Sequence, residues 1–323
     1  MPLRRLLTLI AIGLPVLLLA GIAAVATDSY REHRRLVEVE RAAYPAQGAL
    51  VRVGTGAAES GGLLHVYAEG EGDPTLVFLA GLGTSAPYFD FMTLHERLSD
   101  DYRVAVVERA GYGWSDITDS PRDIASVLHE TRTALRRAGE GPPYVLFPHS
   151  MAGLEAALWA MEHPEEVEAV IGLDPLVPRY LERTDERPSL SWLETVLART
   201  GLMRSGADVF ETSFPAMTRG LLSDREAEVA EAIFHRRTHT PDMWDEVRAL
   251  PGNAAKVAAL DPPDRPFHAF VSDEATEVWT ESVKAYAEAT GGETFVLYAG
   301  HHVHLDRPEL IAQTSRALIE DAR

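Results

Sequence analysis

Ser150 stands at a one-residue junction. The apolar run Tyr144–Phe147 stops at Pro148-His149-Ser150, and a helical apolar pattern at Met151, Leu154, Leu158 and Met161 begins at once. The pattern predicts a buried strand running straight into a buried helix. That puts the serine hydroxyl at a strand's carboxyl end, where ligands collect in an open parallel sheet. Such a turn is strained and needs small neighbours; Pro148, Ala152 and Gly153 flank it. The N-terminus of the following helix offers free N–H groups and a positive dipole end, suited to an oxyanion. Plain helix capping would also account for a serine here. His301 favours the chemical reading, because it follows the strand-like run Thr294–Gly300 and comes after the serine in the chain, the order of one nucleophile–histidine arrangement.

A rival chemistry is weaker. Residues 302–306, HVHLD, have the H-x-H-x-D start of a zinc motif, but Arg307 stands where a further histidine is needed and too little chain follows to supply the other ligands. With no cysteine in the chain there is also no thiolate nucleophile or thiolate-bound metal, so neither metal nor cofactor is expected. His304 is expected to pack near the last helix, and Tyr112 and Trp114 to be structural.

The elements that must position Ser150 and His301 alternate. Strand-like runs occur at LLHVYAEG, TLVFLAG, residues 102–110, 144–148, 169–174, 267–273 and 294–300. Between them DIASVLHETRTALRRAG reads as an amphipathic helix ending at Gly139. The spacing of Asp306, Pro308 and Glu309 predicts a capped last helix. Alternation with near-continuous apolar strands predicts an α/β fold: a mostly parallel central sheet with helices on both faces. Residues 176–262 break the alternation with several short helical patterns, which predicts a helical cap inserted after the sixth strand. The core is then expected at 49–175 and 263–323.

Four stretches resemble the α/β-hydrolase superfamily, over roughly residues 49–320. FLAGLGTSAPYFDF is similar to its oxyanion loop, with Ala80 where histidine is common. ERAGYGWSD, residues 108–116, resembles its D-R-x-G-x-G-x-S loop, with Glu108 for Asp. PHSMAG is similar to the nucleophile elbow, with Pro148 for the first glycine. GHHVHLDRPE resembles the run whose first histidine, here His301, is catalytic. The resemblance implies that Ser150 attacks an acyl carbonyl and His301 carries the proton. It implies that the N–H groups of Met151 and Leu82 hold the oxyanion. Serine at this position argues against the dehalogenase and epoxide-hydrolase branches, which use Asp. The acid is open between two strand-tip aspartates. Asp273, beside Glu274, holds the family's usual place; Asp174 ends a fully apolar run and is stiffened by Pro175, and is the preferred choice. The expected activity is hydrolysis of a carboxylic ester or related small-molecule acyl substrate. Acyl transfer, cofactor-free peroxidase chemistry and a non-catalytic binding role are the alternatives.

The formal net charge of −19 makes nucleic acid an unsuitable partner, and no obligate protein partner is evident. Residues 6–26 carry no charge, and at ~1.5 Å per residue they span about one bilayer core. They are expected to be a membrane anchor, with secretion after cleavage near Ala26 as the alternative. Arg4 and Arg5 before the span and Arg31, Arg34, Arg35 and Arg41 after it pull orientation in opposite directions; the leading pair favours a catalytic part outside the cytoplasm. Residues 28–48 read as a polar stalk.

Overall fold

The computed structural model describes residues 2–54, 62–206 and 208–322, with side chains from Gly13 onward. The side chains of Arg4 and Arg5 lie outside the described residues. Among the described residues eight strands form one sheet. They are β1 (Ala49–Arg52), β2 (Leu63–Glu69), β3 (Thr75–Leu79), β4 (Val104–Glu108), β5 (Tyr144–Pro148), β6 (Val167–Leu173), β7 (Phe267–Ser272) and β8 (Thr294–Leu297). The spatial order is β1-β2-β4-β3-β5-β6-β7-β8. β1 and β2 are antiparallel to their neighbours, and every pairing from β4 to β8 is parallel. β3, β4 and β5 are buried at every position, as strands covered on both faces must be.

Helix α1 is Pro2–Ala43, α2 Pro87–Leu98, α3 Ile124–Ala138 and α4 Ala152–Glu162. Between β6 and β7 lie α5 (Trp192–Thr200), α6 (Val209–Ser213), α7 (Pro215–Thr218), α8 (Asp224–Arg237) and α9 (Pro241–Ala258), with 3-10 turns at Tyr180–Glu182 and Leu202–Ser205. α10 (Glu277–Ala289), α11 (Val303–Asp306) and α12 (Pro308–Asp321) complete the chain. One sheet face is covered by Leu135 of α3, Leu158 and Trp159 of α4 and Val283 of α10. The other is covered by Phe91 and Leu94 of α2 and Ile311 and Leu318 of α12. The helices after β6 gather a third cluster around Phe210, Phe214, Ile233 and Phe234, which closes on Phe89 and Met92 of α2. Each such fully buried side chain contributes about 1.5–3 kcal/mol.

Two local expectations change. The stretch read as an oxyanion loop turns helical at Pro87, because Phe91, Leu94 and Leu98 repeat at helical spacing and Pro87 suits a first turn. Asp306 does not cap α12, whose cap position is Arg307. Asp306 instead accepts the Gly300 N–H at 2.9 Å and pairs with Arg219 at 2.6 Å. The polar stalk gains a definite structure: α1 runs without a break to Ala43, a rod of ~63 Å at ~1.5 Å per residue. Its half-buried residues Ala26, Ser29, His33, Leu36, Val37 and Glu40 form one face. That face meets Arg204, which donates to His33 Nδ1 at 3.0 Å and to both Glu40 oxygens at 2.7 and 2.8 Å. Within α1, Gly13–Ala43 is long and apolar enough to cross a membrane.

Candidate active site

β5 runs between β3 and β6, and Ser150 follows it by two residues. Its φ is +51°, the left-handed region that a side-chain-bearing residue adopts only under constraint. The constraint is visible. Leu176 donates to the Ser150 carbonyl at 2.8 Å, and the Ser150 N–H reaches the Leu173 carbonyl at 3.3 Å. Two glycines let neighbouring segments close in. A Cβ on Gly81 would lie 2.9 Å from Ser150 Cβ, and one on Gly153 would lie 2.9 Å from Pro175 Cβ. Pro148 ends β5 in register with Leu79, and the turn forms after it despite its missing N–H.

His301 follows β8, and its Nδ1 lies 2.6 Å from Asp174 Oδ2. Asp174 ends β6 with φ +47° and is 2% exposed. Its other oxygen accepts Trp279 Nε1–H at 2.9 Å and the Ser272 N–H at 3.4 Å. Asp273 points elsewhere: its Oδ1 accepts the Ala299 N–H at 3.0 Å. It does not cap α10 either, since Thr276 does. Ser150 and His301 line one cavity of about 280 Å³, together with Leu82, Leu190, Phe214 and Phe234. Among the described residues Ser150 Oγ makes no hydrogen bond. The N–H groups of Met151 and Leu82 also donate to no group among the described residues, so both are free to donate to a bound group.

Sequence reasoning missed the residues that hold these parts. Arg109 is buried under the Gly81 turn. It donates to the Ala80 carbonyl at 2.7 Å, pairs with Glu246 of α9 at 3.0 Å and lies 3.6 Å from Glu155. Burial opposes its charge, and the carboxylates and Tyr112 more than offset that, so its pKa is raised. The R in ERAGYG was the only signal, since its partner lies 137 residues away. Glu108 accepts the Trp114 N–H at 2.6 Å and faces His65 Nδ1 at 3.0 Å. Burial pushes its pKa up, but His65 and the Trp114 and Tyr88 N–H groups together outweigh burial and the net direction is down. Tyr112 bonds Glu246 at 2.5 Å and Trp114 donates to the Tyr44 carbonyl at 3.0 Å, both away from the cavity.

His149 is the third such residue. Its Nε2 lies 3.2 Å from the His301 carbonyl oxygen, which can only accept, so Nε2 carries the proton. Burial, then the neighbouring His301, His304 and His302, hold its pKa well below the ordinary value. The HVHLD residues do not converge on one point: His304, on α11, puts its Nε2 3.4 Å from Asp90 Oδ2 of α2, while Asp306 faces Arg219. Asp90, His149 and His302 do bring one potential ligand atom each within 4.8 Å of one another. In this structure Asp90 Oδ2 lies 3.4 Å from His304 Nε2 and His149 Nε2 braces the His301 backbone, while His149 Nδ1 is buried without a hydrogen-bond partner among the described residues.

The comparisons with known proteins agree with the fold. A family model described as alpha/beta hydrolase fold matches residues 74–323. The uncharacterized protein YbdG of Bacillus subtilis is 29% identical over 95% of this chain and 96% of its own. An epoxide hydrolase of Vigna radiata superposes with a TM-score of 0.64 at 18% identity, covering 85% of this chain and 98% of that one. A thermophilic esterase of Thermogutta terrifontis does so at 0.56 and 19% identity, covering 85% and 99%. With the parallel sheet, the strand-to-helix turn after β5 and a matching family model over most of its length, the chain belongs to the α/β-hydrolase fold family.

Proposed function

We propose that this chain is a serine hydrolase that cleaves a carboxylic ester or related acyl compound through an acyl-enzyme. The observation that carries the reading is the 2.6 Å contact of His301 Nδ1 with a buried aspartate, on an imidazole that shares a cavity with a strained strand-tip serine. In this reading Ser150 Oγ attacks the acyl carbon and its proton passes to His301 Nε2. Asp174 holds the imidazole so that Nε2 is free to accept, and steadies the imidazolium. The oxyanion takes hydrogen bonds from the N–H groups of Met151 and Leu82. His301 then protonates the leaving alkoxide, and a water activated by the same imidazole releases the acid. The Ser150–His301 contact is open here, and such contacts tighten when substrate binds. Arg109 and His149 act as positioning residues, one for the Gly81 turn and one for the His301 backbone.

The same proposal divides the chain into a membrane segment at 1–27, a stalk at 28–48 that is helical as far as Ala43, a core at 49–175 and 263–323, and a cap at 176–262. Phe214 and Phe234 of the cap supply apolar walls for an acyl group. Rapid-quench mass spectrometry with a short-chain ester tests the reading. The expected result is the acyl mass on the Ser150 peptide and none in Ser150→Ala. Turnover without an acylated Ser150 would refute it.

A further inference from the structure

The surface of α5 carries a feature that the chemistry does not use. Trp192 is 71% exposed, Leu193 52% and Val196 45%, all within five residues of one helix. Single exposed apolar residues are ordinary, but a cluster is not. Of the other large exposed apolar residues outside α1, Leu50, Ile117, Leu260 and Leu310 are scattered along the chain, and only Val296 and Tyr298 are near neighbours, the Tyr298 ring being covered by the Arg307 guanidinium. The opposite face of α5 is spoken for. Ala198 joins the apolar cluster of the insertion, and Thr195 accepts Trp244 Nε1–H at 2.9 Å. Glu194, the acidic residue on α5, turns to His239 at 3.5 Å.

The position of α5 says what covers the face. Gly201, which ends α5 at φ +77°, lies so close to α1 that an added Cβ would collide with His33 Cβ and come within 2.9 Å of the Ser29 carbonyl oxygen. α5 itself also contacts α1, and Ala26 is half-buried there. Ala26 is the last residue of the uncharged span, and Ser29 lies about 4.5 Å further along the helix at ~1.5 Å per residue. The C-terminal end of α5 is therefore held beside Ser29 and His33, within about 10 Å of the end of the uncharged span at ~1.5 Å per residue. The charges agree. In a chain of net charge −19, exposed Arg31, Arg34 and Arg35 outnumber Asp28 and Glu32 on this stretch of α1, Glu32 pairing with Arg35 at 2.6 Å, and Arg199 is exposed on α5; lipid phosphates favour such a local excess of arginine. A tryptophan with aliphatic neighbours and basic flanks is the composition of an interfacial helix. Leu190, two residues before Trp192, lines the cavity that holds Ser150.

The geometry points to α5 as a membrane-interface helix that seats the catalytic cavity on the bilayer, with long-chain acyl esters dissolved in that bilayer as the substrate class. This inference rests on the serine hydrolase and anchor readings above. The outer face of α5 enters the headgroup region beside α1, and the acyl chain passes from lipid to Ser150 along Leu190 without crossing water. From residues 176–262 the cavity takes Leu190, Phe214, Pro215 and Phe234, an apolar wall for an acyl chain, with Ser213 and His239 as its polar members.

The test uses the full chain in vesicles of equal parts phosphatidylcholine and phosphatidylglycerol. Lipids brominated at a shallow acyl position should quench the indole fluorescence of the wild-type chain more than that of Trp192→Phe. Equal quenching of the two overturns the inference. Replacing Trp192, Leu193 and Val196 together by serine should slow hydrolysis of a long-chain ester in the vesicles about tenfold, and leave a water-soluble short-chain ester within about twofold of wild type. Equal loss on both esters, or loss on neither, overturns it as well. If the wild-type chain does not float with the vesicles, the anchor reading fails and this inference with it. If it floats but cleaves neither ester, the hydrolase reading alone fails, and the Trp192 quenching still decides whether α5 lies in the bilayer.

Discussion

Replacing Asp174 by asparagine should nearly silence the enzyme while leaving its shape, and the surrounding hydrogen bonds say why. Asp174 Oδ1 faces two donors, Trp279 Nε1–H at 2.9 Å and the Ser272 N–H at 3.4 Å. An asparagine there must put its carbonyl oxygen toward those donors, which turns its NH2 group toward His301 Nδ1. The imidazole then has to accept at Nδ1 and carry its proton on Nε2, so it can no longer take the Ser150 proton. Wrong-tautomer variants of this kind lose on the order of 10⁴ in turnover, about 5.5 kcal/mol at 1.36 kcal/mol per decade. Asp273→Asn should stay within about threefold of wild type, because its carbonyl can still accept the Ala299 N–H. Adding Trp279→Phe to the first variant removes the stronger of the two donors that fix the amide. One hydrogen bond is worth about 1–1.5 kcal/mol, so the double variant should recover roughly tenfold over Asp174→Asn. The assay is steady-state hydrolysis of a soluble short-chain ester, with far-ultraviolet circular dichroism as the control on folding. A large loss in Asp273→Asn with Asp174→Asn near wild type would refute the reasoning.

Further predictions concern the nucleophile, the buried ion pair and acid stability. Ser150→Ala and His301→Ala should each abolish hydrolysis, and the double variant should be no worse than the worse single one, because the two residues act as a unit; additive losses in the same ester assay would contradict this. Arg109→Met leaves Glu246 and Glu155 buried without their cation and should cost about 3–5 kcal/mol in urea denaturation, a loss that Arg109→Lys should partly restore. His302 is pushed down to about 4, first by burial and then by His304, His301 and Arg219, against the opposing pull of Asp90. Between that value and the ordinary ~6.5 the unfolded chain binds the proton that the folded chain refuses, so stability should fall as pH drops from 6.5 toward 4. The full window is worth on the order of 3 kcal/mol, and His302→Gln should flatten the slope of unfolding free energy against pH.

The legible parts of the fold and site are those written in neighbouring residues. An apolar run meeting a helical pattern at Ser150 is a local signal, and so is a strand ending before His301. β3, β4 and β5 could be read because both-face burial leaves unbroken apolar strings. What stayed hidden depends on partners far along the chain. Asp174 and Asp273 each end a strand, and only the side-by-side order of β6, β7 and β8 shows that one faces His301 and the other the Ala299 N–H. Arg109 looks like a surface charge until Glu246 of α9 is folded over it. Asp306 has the spacing of a helix cap, yet an arginine from a distant helix and the Gly300 N–H claim it first. α1 continues past its apolar span because Glu40 and His33 find Arg204, which no window along the sequence contains.

The most direct test is covalent capture of the nucleophile. The folded full-length chain is treated with a fluorophosphonate and its peptides are sequenced by mass spectrometry. An activated Ser150 should carry the adduct, with labelling abolished in Ser150→Ala and slowed about as much as turnover in Asp174→Asn. A folded chain that takes up no label, or takes it on another serine, would contradict the assignment of Ser150, His301 and Asp174 as the catalytic machinery.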